Sequence, residues 1–215
     1  MSRGAFLETV DLRARALAFL PVLVLVLAFP SLASADSDPV RGAKLAYTCM
    51  GCHGIPNYKN TYPMYSVPKL AGQSADYIVA ALTGYKDGSR GHGTMHSQAA
   101  TMSDQDMQDI AAYLSTAATI QRNPNAKADG APKAAQQLCV SCHGPDGVAI
   151  APNYPNLAGQ YADYLEQALH EYRAGSRKNP VMGTFAGQLK DGEIRDLARY
   201  FSEQRPGLGT PKPLH

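Results

Sequence analysis

The stretch Cys-Met-Gly-Cys-His at residues 49–53 returns as Cys-Val-Ser-Cys-His at residues 139–143, and these two stretches decide the fold. In each of them two residues separate the cysteines, and a histidine follows the second cysteine directly. This is the spacing at which a c-type haem is attached, because both thiols reach vinyl groups of one porphyrin while the imidazole binds its iron. We therefore predict two covalently attached haems c, held by Cys49, Cys52, His53, Cys139, Cys142 and His143.

Three other kinds of site share part of this pattern. A thioredoxin-like redox pair would need a βαβ context, which the surrounding sequence lacks. A zinc ribbon would place its second cysteine pair about 15 to 20 residues after the first, but 86 residues lie between Cys52 and Cys139. A disulfide framework stays open for an exported chain with four cysteines, although it would not explain why a histidine follows each pair.

An internal repeat surrounds the two motifs. PKLAGQ at residues 68–73 returns as PNLAGQ at 155–160, and GSR at 88–90 returns at 175–177, both at an offset of 87 residues. The cysteine motifs themselves are 90 residues apart, so the first copy has three extra residues in the loop that precedes PKLAGQ. The chain therefore consists of two copies of one small domain.

The first 35 residues have the pattern of an export signal. Three arginines precede the apolar run at residues 16–29, and the small residues Ala-Ser-Ala follow at 33–35. An uncleaved membrane anchor is the alternative, since the run approaches the ~20 residues of a spanning helix. Pro21 and Pro30 interrupt the run, which favours a cleaved signal peptide and a periplasmic protein that begins at Asp36.

A change in composition marks the boundary between the copies. Residues 121–132 (QRNPNAKADGAP) contain two prolines, a glycine and few apolar side chains, as linkers do. The predicted organisation is a signal peptide at 1–35, a first domain at 36–122, a linker at 123–130 and a second domain at 131–215.

The sequence of each copy predicts three helices and no strand ladder, so the predicted fold class is all-α. In the first copy the helices cover 40–48, 75–87 and 104–115. Ser103 with Asp106 forms a helix start signal, and apolar residues follow at helical spacing. The second copy repeats this pattern with Asp191 as the predicted cap. Domains this small bury little apolar surface unaided, so each is expected to wrap around its haem.

Net charge argues against one class of partner. Once residues 1–35 are removed, 17 basic and 16 acidic residues remain, and the chain is nearly neutral. Nucleic-acid binding usually depends on a clustered excess of basic residues. We therefore expect redox protein partners and no nucleic acid, with membrane contact only through partners or an uncleaved N-terminal segment.

The sixth iron ligand is predicted to be methionine in both copies. Met95 and Met182 occupy equivalent positions, each after a Gly/Ser/Arg-rich loop and before the last helix. His92 and His96 are the alternatives in the first copy, but the equivalent residues of the second copy are asparagine and glycine. A thioether ligand raises the reduction potential relative to two imidazoles, and a six-coordinate iron favours electron transfer over bond chemistry.

The motifs and the repeat make the sequence resemble the cytochrome c4 family of soluble dihaem cytochromes c. The most specific matches are the two haem motifs, PKLAGQ at 68–73 and SDQDMQDIAAYL at 103–114. The resemblance implies two tandem class I cytochrome c domains whose haems face each other near the domain interface. It also implies that the carbonyls of Pro68 and Pro155 accept the Nδ1 hydrogens of the ligand histidines, which fixes the imidazole tautomer.

The resemblance has one departure, in the first helix of the second domain. Class I domains usually place a small residue where the first helix crosses the last, and Gly42 with Tyr113 suits this role. Counting from the cysteines puts Pro132 opposite Gly42. We expect this helix to start later or to cross differently.

Three functions remain in competition. The leading one is an electron carrier, not an enzyme, that moves electrons from a quinol-oxidising complex or dehydrogenase to a terminal oxidase. The second is the cytochrome subunit of a periplasmic dehydrogenase, such as a flavocytochrome sulfide dehydrogenase or an alcohol dehydrogenase. The third is catalysis at a haem, against which the methionines at 95 and 182 argue.

Overall fold

A computed structural model of the chain describes residues 36–212. The predicted signal peptide at 1–35 lies outside the described residues. Within 36–212, no helix has the length and apolar character of a membrane span. We call the described chain before the linker the first domain and the chain after it the second domain. Both domains are helical, and extended pairing in the described part is limited to isolated bridges, which confirms the all-α class.

The helices of the first domain are α1 (Pro39–Leu45), α2 (Met50–His53), α3 (Ala75–Asp87), α4 (Gly93–Ala99) and α5 (Asp104–Thr116), and a 3₁₀ turn at Ala46–Cys49 joins α1 to α2. The second domain has a π-helical segment at Ala135–Cys139, then α6 (Val140–His143), α7 (Ala162–Ala174), α8 (Pro180–Gly187) and α9 (Asp191–Glu203). The predicted middle and last helices are confirmed. Helices α4 and α8 were not predicted from the sequence, where their residues have the pattern of loops.

The start of the last helix differs slightly between the domains. Helix α5 begins after Ser103, whose hydroxyl accepts a hydrogen bond from the Asp106 N–H (3.1 Å) while the Asp106 carboxylate accepts from the Ser103 N–H (2.9 Å). The prediction of Asp191 as the cap of α9 is wrong by one residue, because Lys190 is the N-cap. The Glu193 carboxylate accepts a hydrogen bond from the Lys190 N–H (2.9 Å) and so satisfies a backbone donor at this helix start.

The apolar stripes of α5 and α9 face the cores of their domains, as their spacing predicts. All members of both stripes are buried, and they pack with residues of the motif-bearing helices and of α3 or α7. These stripes are Met107, Ile110, Ala111 and Leu114 in α5, and Ile194, Leu197, Ala198 and Phe201 in α9.

Helix α1 crosses α5 at Gly42. A Cβ atom on Gly42 would lie 1.9 Å from the carbonyl oxygen of Asp109, so only glycine allows this approach. The nearest residues of α5 are Asp109 and Ile110, one turn before the predicted partner Tyr113. In the second domain helical structure begins at residue 133, directly after Pro132, so this helix starts later, as expected.

The two domains meet through equivalent residues of the repeat. The side chain of Gln160 accepts from the N–H of Lys69 and donates to its carbonyl, both at 2.9 Å. Gln73 forms the same pair of bonds with the main chain of Asn156, at 2.8 and 3.0 Å. Since Gln73 and Lys69 correspond to Gln160 and Asn156 at the offset of 87 residues, the interface approximates a two-fold axis. This arrangement brings the PxLAGQ segments of both domains together.

Candidate functional site

A cavity of about 630 Å³ extends through both domains. Its lining is largely apolar and includes side chains from the motif-bearing helices and from α3, α4, α7, α8 and α9. This volume lies within the range of about 300–1,000 Å³ typical of small-molecule sites. The cavity brings together every predicted attachment and ligand residue, namely Cys49, Cys52, His53, Met95, Cys139, Cys142, His143 and Met182.

The two motif histidines make the same hydrogen bond in both domains. The Nδ1 atom of His53 lies 2.8 Å from the carbonyl oxygen of Pro68, and that of His143 lies 3.0 Å from the carbonyl oxygen of Pro155. A carbonyl can only accept, so Nδ1 carries the proton and the lone pair of Nε2 is free to bind a metal. Burial lowers the pKa of both imidazoles, which favours the neutral form that a ligand needs.

The motif cysteines are unpaired and largely sheltered. All four carry free thiols, so the alternative of a disulfide framework finds no support in the structure. Burial raises the pKa of Cys49 above its usual value and that of Cys139 to about 11. Redox-active thiols depend on a lowered pKa, so these side chains do not have the properties of a thioredoxin-like pair.

Helices α4 and α8 bring the two methionines into the lining of the cavity. The Nδ1 atom of His92 accepts a hydrogen bond from the Met95 N–H (3.3 Å), and the Oδ1 atom of Asn179 accepts from the Met182 N–H (3.0 Å). His92 and Asn179 therefore have the same role, that of N-cap for the helix that carries the methionine. Proline at the first helical position of α8 fits the geometry of a helix start.

Three other side chains of the first domain that could bind iron lie outside the cavity lining. His96 is exposed, and its Nδ1 atom lies 2.8 Å from the carbonyl oxygen of Tyr85, to which it donates. Met64 is 76% exposed and belongs to the loop with the three extra residues. Met107 is fully buried in the core of the first domain. Met95 lines the cavity, as do His92 and Met102, whereas His96, Met64 and Met107 do not.

The residues present fit two covalently attached haems. Each half of the cavity offers two thiols for thioether bonds, an imidazole with a free Nε2, a methionine thioether and apolar walls for the macrocycle. Two buried arginines, Arg90 and Arg177, lie where the two halves meet. Sequence reasoning noted them only as part of the repeated GSR segment and gave them no role. Their repetition at equal spacing was the available signal.

Comparison with known proteins agrees with this geometry. The family model described as cytochrome c matches the chain twice, at residues 39–118 and 128–204. Cytochrome c4 of Pseudomonas aeruginosa is 34% identical over 192 residues, which cover 83% of this chain and 94% of the relative. The thiosulfate dehydrogenase electron acceptor of Stutzerimonas stutzeri is 34% identical over 172 residues, which cover 73% of this chain and 79% of the relative.

A solved structure shows the same likeness. The reduced recombinant cytochrome c4 from Pseudomonas stutzeri superposes with a TM-score of 0.63 at 28% identity, covering 79% of this chain and all of that one. The double family match, the coverage of the relatives and the two haem motifs lead to one conclusion: the chain belongs to the cytochrome c4 family and is a dihaem electron carrier with two tandem cytochrome c domains.

Proposed function

We propose that the chain carries single electrons in the periplasm, from a quinol-oxidising complex or a dehydrogenase to a terminal oxidase. The observation that supports this most is the continuous cavity, which holds both attachment motifs and both methionines. Two redox centres in adjoining sites allow an electron to enter through one domain and leave through the other. Membership of the cytochrome c4 family supports electron transfer as the general activity.

We propose further that His53 and Met95 bind one iron from opposite faces, and that His143 and Met182 bind the other. Each haem, when bound, supplies an iron that cycles between the ferric and ferrous states. With an imidazole and a thioether as its protein ligands, each iron would have no position left for a small molecule. Hydrogen bonds to the carbonyls of Pro68 and Pro155 orient the two histidines. The two methionines belong to helices whose N-termini are capped.

The visible spectrum of the ferric holoprotein, with haem quantification, tests this ligand set. We expect two haems per chain and a full-strength iron–sulfur charge-transfer band. Met95→Leu and Met182→Leu should each remove about half of the band, since each methionine serves one of two irons. Met64→Leu is the matched control, because this exposed methionine lies outside the cavity lining. A full-strength band in Met95→Leu would show that another side chain binds the first iron.

A second candidate function is the electron-accepting subunit of a periplasmic dehydrogenase, for example of the flavocytochrome sulfide dehydrogenase or alcohol dehydrogenase kind. The likeness to a thiosulfate dehydrogenase electron acceptor, at 34% identity, favours this candidate. Purification of the native protein at moderate salt separates the two functions. A free carrier should elute without a partner, whereas constant co-elution with a large dehydrogenase would replace the first proposal by the second.

A further inference from the structure

Two buried arginines, one from each domain, are neighbours at the domain interface. Arg90 and Arg177 are equivalent in the repeat and form an antiparallel bridge with each other. Main-chain hydrogen bonds close the bridge on both sides, from Lys178 N–H to Ser89 O (2.7 Å) and from Gly91 N–H to Ser176 O (3.3 Å). The side chains are only 9% and 5% exposed. Their positions are therefore set by the contact between the domains.

Each guanidinium reaches across the interface to a tyrosine of the other domain. An Nη2 hydrogen of Arg90 is donated to the hydroxyl of Tyr164 (2.6 Å), and one of Arg177 to the hydroxyl of Tyr77 (2.6 Å). Tyr77 and Tyr164 are themselves equivalent in the repeat. The two crossed Arg–Tyr pairs thus link each domain's arginine to a hydroxyl on the other domain's α3 or α7.

The same arginines also contact aromatic rings of their own domains. The Cζ atom of Arg90 lies 4.5 Å from the ring centroid of Tyr85, and that of Arg177 lies 4.4 Å from the ring centroid of Tyr172. Burial by itself would raise the pKa of Tyr77, but the positive charges of Arg177 and Arg90 outweigh burial and lower it. The electrostatic potential at the Tyr77 hydroxyl is therefore positive, because two guanidinium cations lie close to it in a buried space.

Phenol hydroxyls and aromatic faces do not neutralise two buried cations. Arginine stays charged under all ordinary conditions, and a buried charge is costly unless an opposite charge accompanies it. Within residues 36–212, neither arginine is ion-paired with a carboxylate. Each guanidinium also has donors beyond the one that its tyrosine receives, in the planar arrangement that suits carboxylates.

Both arginines line the cavity that contains the haem-attachment residues. The carboxylates of the porphyrin side chains are the anionic groups that a haem brings into such a space. We propose that Arg90 and Arg177 bind these carboxylates at the interface, and that the crossed hydroxyls of Tyr164 and Tyr77 position the arginines, so that each haem's reduction potential depends on a tyrosine of the other domain. This inference rests on the proposed function, because it requires haem in both halves of the cavity.

The expected sign follows from electrostatics. A cation near a haem disfavours the ferric state, which carries one more positive charge than the ferrous state, and so raises the reduction potential. Loss of the Tyr164 hydroxyl releases Arg90 from its fixed position and weakens this effect on the haem of the first domain. The potential of that haem should fall, although the substituted residue belongs to the second domain.

Redox titration of the full-length holoprotein, followed by NMR of the haem methyl resonances, reports each haem separately. We expect Tyr164→Phe to lower the potential of the haem attached next to His53, and Tyr77→Phe to lower that of the haem attached next to His143. The shift should change the ferrous-to-ferric ratio at a fixed potential by roughly three- to tenfold, where tenfold corresponds to 59 mV. The other haem of each variant should shift less.

Two tyrosines outside the cavity provide matched controls. The Tyr113 hydroxyl donates to the carbonyl of Lys212 (2.7 Å), and the Tyr200 hydroxyl donates to the carbonyl of Pro145 (2.6 Å). Neither tyrosine lines the cavity. Tyr113→Phe and Tyr200→Phe should leave both potentials unchanged. Arg90→Lys keeps the charge but loses the planar donor pair, and it should lower the first-domain potential in the same direction as Tyr164→Phe.

Unchanged potentials in both tyrosine variants and in Arg90→Lys would overturn the inference, as would shifts confined to the haem of the substituted tyrosine's own domain. Failure of the proposed function is recognised separately, by haem content or by the charge-transfer band of the wild-type protein. If Tyr164→Phe does not fold, Arg90→Lys still tests the inference, because it changes the arginine of the same Arg90–Tyr164 hydrogen bond.

Discussion

The helix that leads into the haem motif is built differently in the two domains, and the difference amounts to one residue. In the first domain a 3₁₀ turn at Ala46–Cys49 precedes the second cysteine, whereas the second domain has a π-helical segment at Ala135–Cys139. Ala46 and Ala135 are both completely buried, but they lie three and four residues before the first cysteine. A π turn accommodates one extra residue within a helix. Ala135 can therefore occupy the same buried position as Ala46, although it lies one residue further from its cysteine.

This extra residue changes which positions of the two domains correspond. Four residues before the buried alanine lie Gly42 in the first domain and Ala131 in the second, and both are buried. By this count Ala131, and not Pro132, matches Gly42, although Ala131 and Pro132 both precede the helix that begins at residue 133. Counting from the cysteines cannot show this shift, because nothing in the sequence marks where the π turn takes up the additional residue.

The largest effect should come from the helix crossing that only the first domain makes so closely. Gly42→Ala places a Cβ atom 1.9 Å from the Asp109 carbonyl oxygen, which forces α1 away from α5 and should destabilise the protein by about 3 kcal/mol. Ala131→Gly in the second domain should cost only about 0.4–1 kcal/mol, because glycine raises the conformational entropy of the unfolded chain. Denaturant unfolding of the holoprotein measures both values, and equal effects would contradict a close crossing that is confined to the first domain.

Part of the fold could be predicted because its signals are local. The start of α5 follows from Ser103 and Asp106, and its buried face follows from a helical spacing of apolar residues. Helix α4 was missed because it is short and its cap is His92, a residue that is not among the usual caps. Its counterpart α8 carries a recognisable signal, asparagine followed by proline at 179–180.

The second effect concerns an aspartate that is buried in one domain and exposed in the other. Asp109 accepts hydrogen bonds from the Asp38 N–H (2.8 Å) and from the Gln105 amide (2.8 Å), and it also pairs with Arg41. Its equivalent, Asp196, is exposed. Asp109→Asn should lower the free energy of unfolding by about 2 kcal/mol, while Asp196→Asn should change it by less than about 0.5 kcal/mol.

The pH dependence of stability provides an independent check on Asp109. The hydrogen bonds from Asp38 and Arg41 hold the pKa of Asp109 below its usual value. A carboxyl whose folded-state pKa is depressed adds stability above its unfolded-state pKa of about 3.9, and this contribution is lost as the pH falls through the folded-state pKa. Unfolding measured from pH 6 to pH 2 should show this loss in the wild type and less of it in Asp109→Asn. Identical curves would contradict the assignment.

The functional site could be predicted where its residues are adjacent in sequence, but not where the domains meet. The cysteines, histidines and methionines follow from spacing and duplication. The arginines at the interface do not, because their partners are tyrosines 74 and 100 residues away. Contacts of this kind depend on how the two domains pack, and no local pattern encodes that packing.

A third and smaller effect tests the loop that is three residues longer in the first domain. This loop reaches the second domain, where Asp163 accepts hydrogen bonds from Lys59 Nζ (2.9 Å) and from the N–H and hydroxyl of Ser66 (3.0 and 2.9 Å). Its equivalent, Asp76, is exposed. Asp163→Asn should destabilise the protein by about 1 kcal/mol, and Asp76→Asn is the control.

Hydrogen exchange locates this third effect. The amides of residues 57–67 should exchange faster in Asp163→Asn than in the wild type, since the contact that fixes the loop to the second domain is weakened. Unchanged protection of this loop, combined with a loss of stability elsewhere, would show that Asp163 acts within α7 and not across the interface.

The smallest effect concerns the caps of the two methionine helices, His92 and Asn179, which accept the same hydrogen bond. His92→Asn copies the cap of the second domain into the first and should change stability by less than about 0.5 kcal/mol, with a full-strength charge-transfer band. His92→Leu removes the acceptor of a long hydrogen bond and should cost about 0.5 kcal/mol. Because asparagine does not replace an imidazole as an iron ligand, a changed ferric spectrum in His92→Asn would identify His92, and not Met95, as the ligand in the first domain.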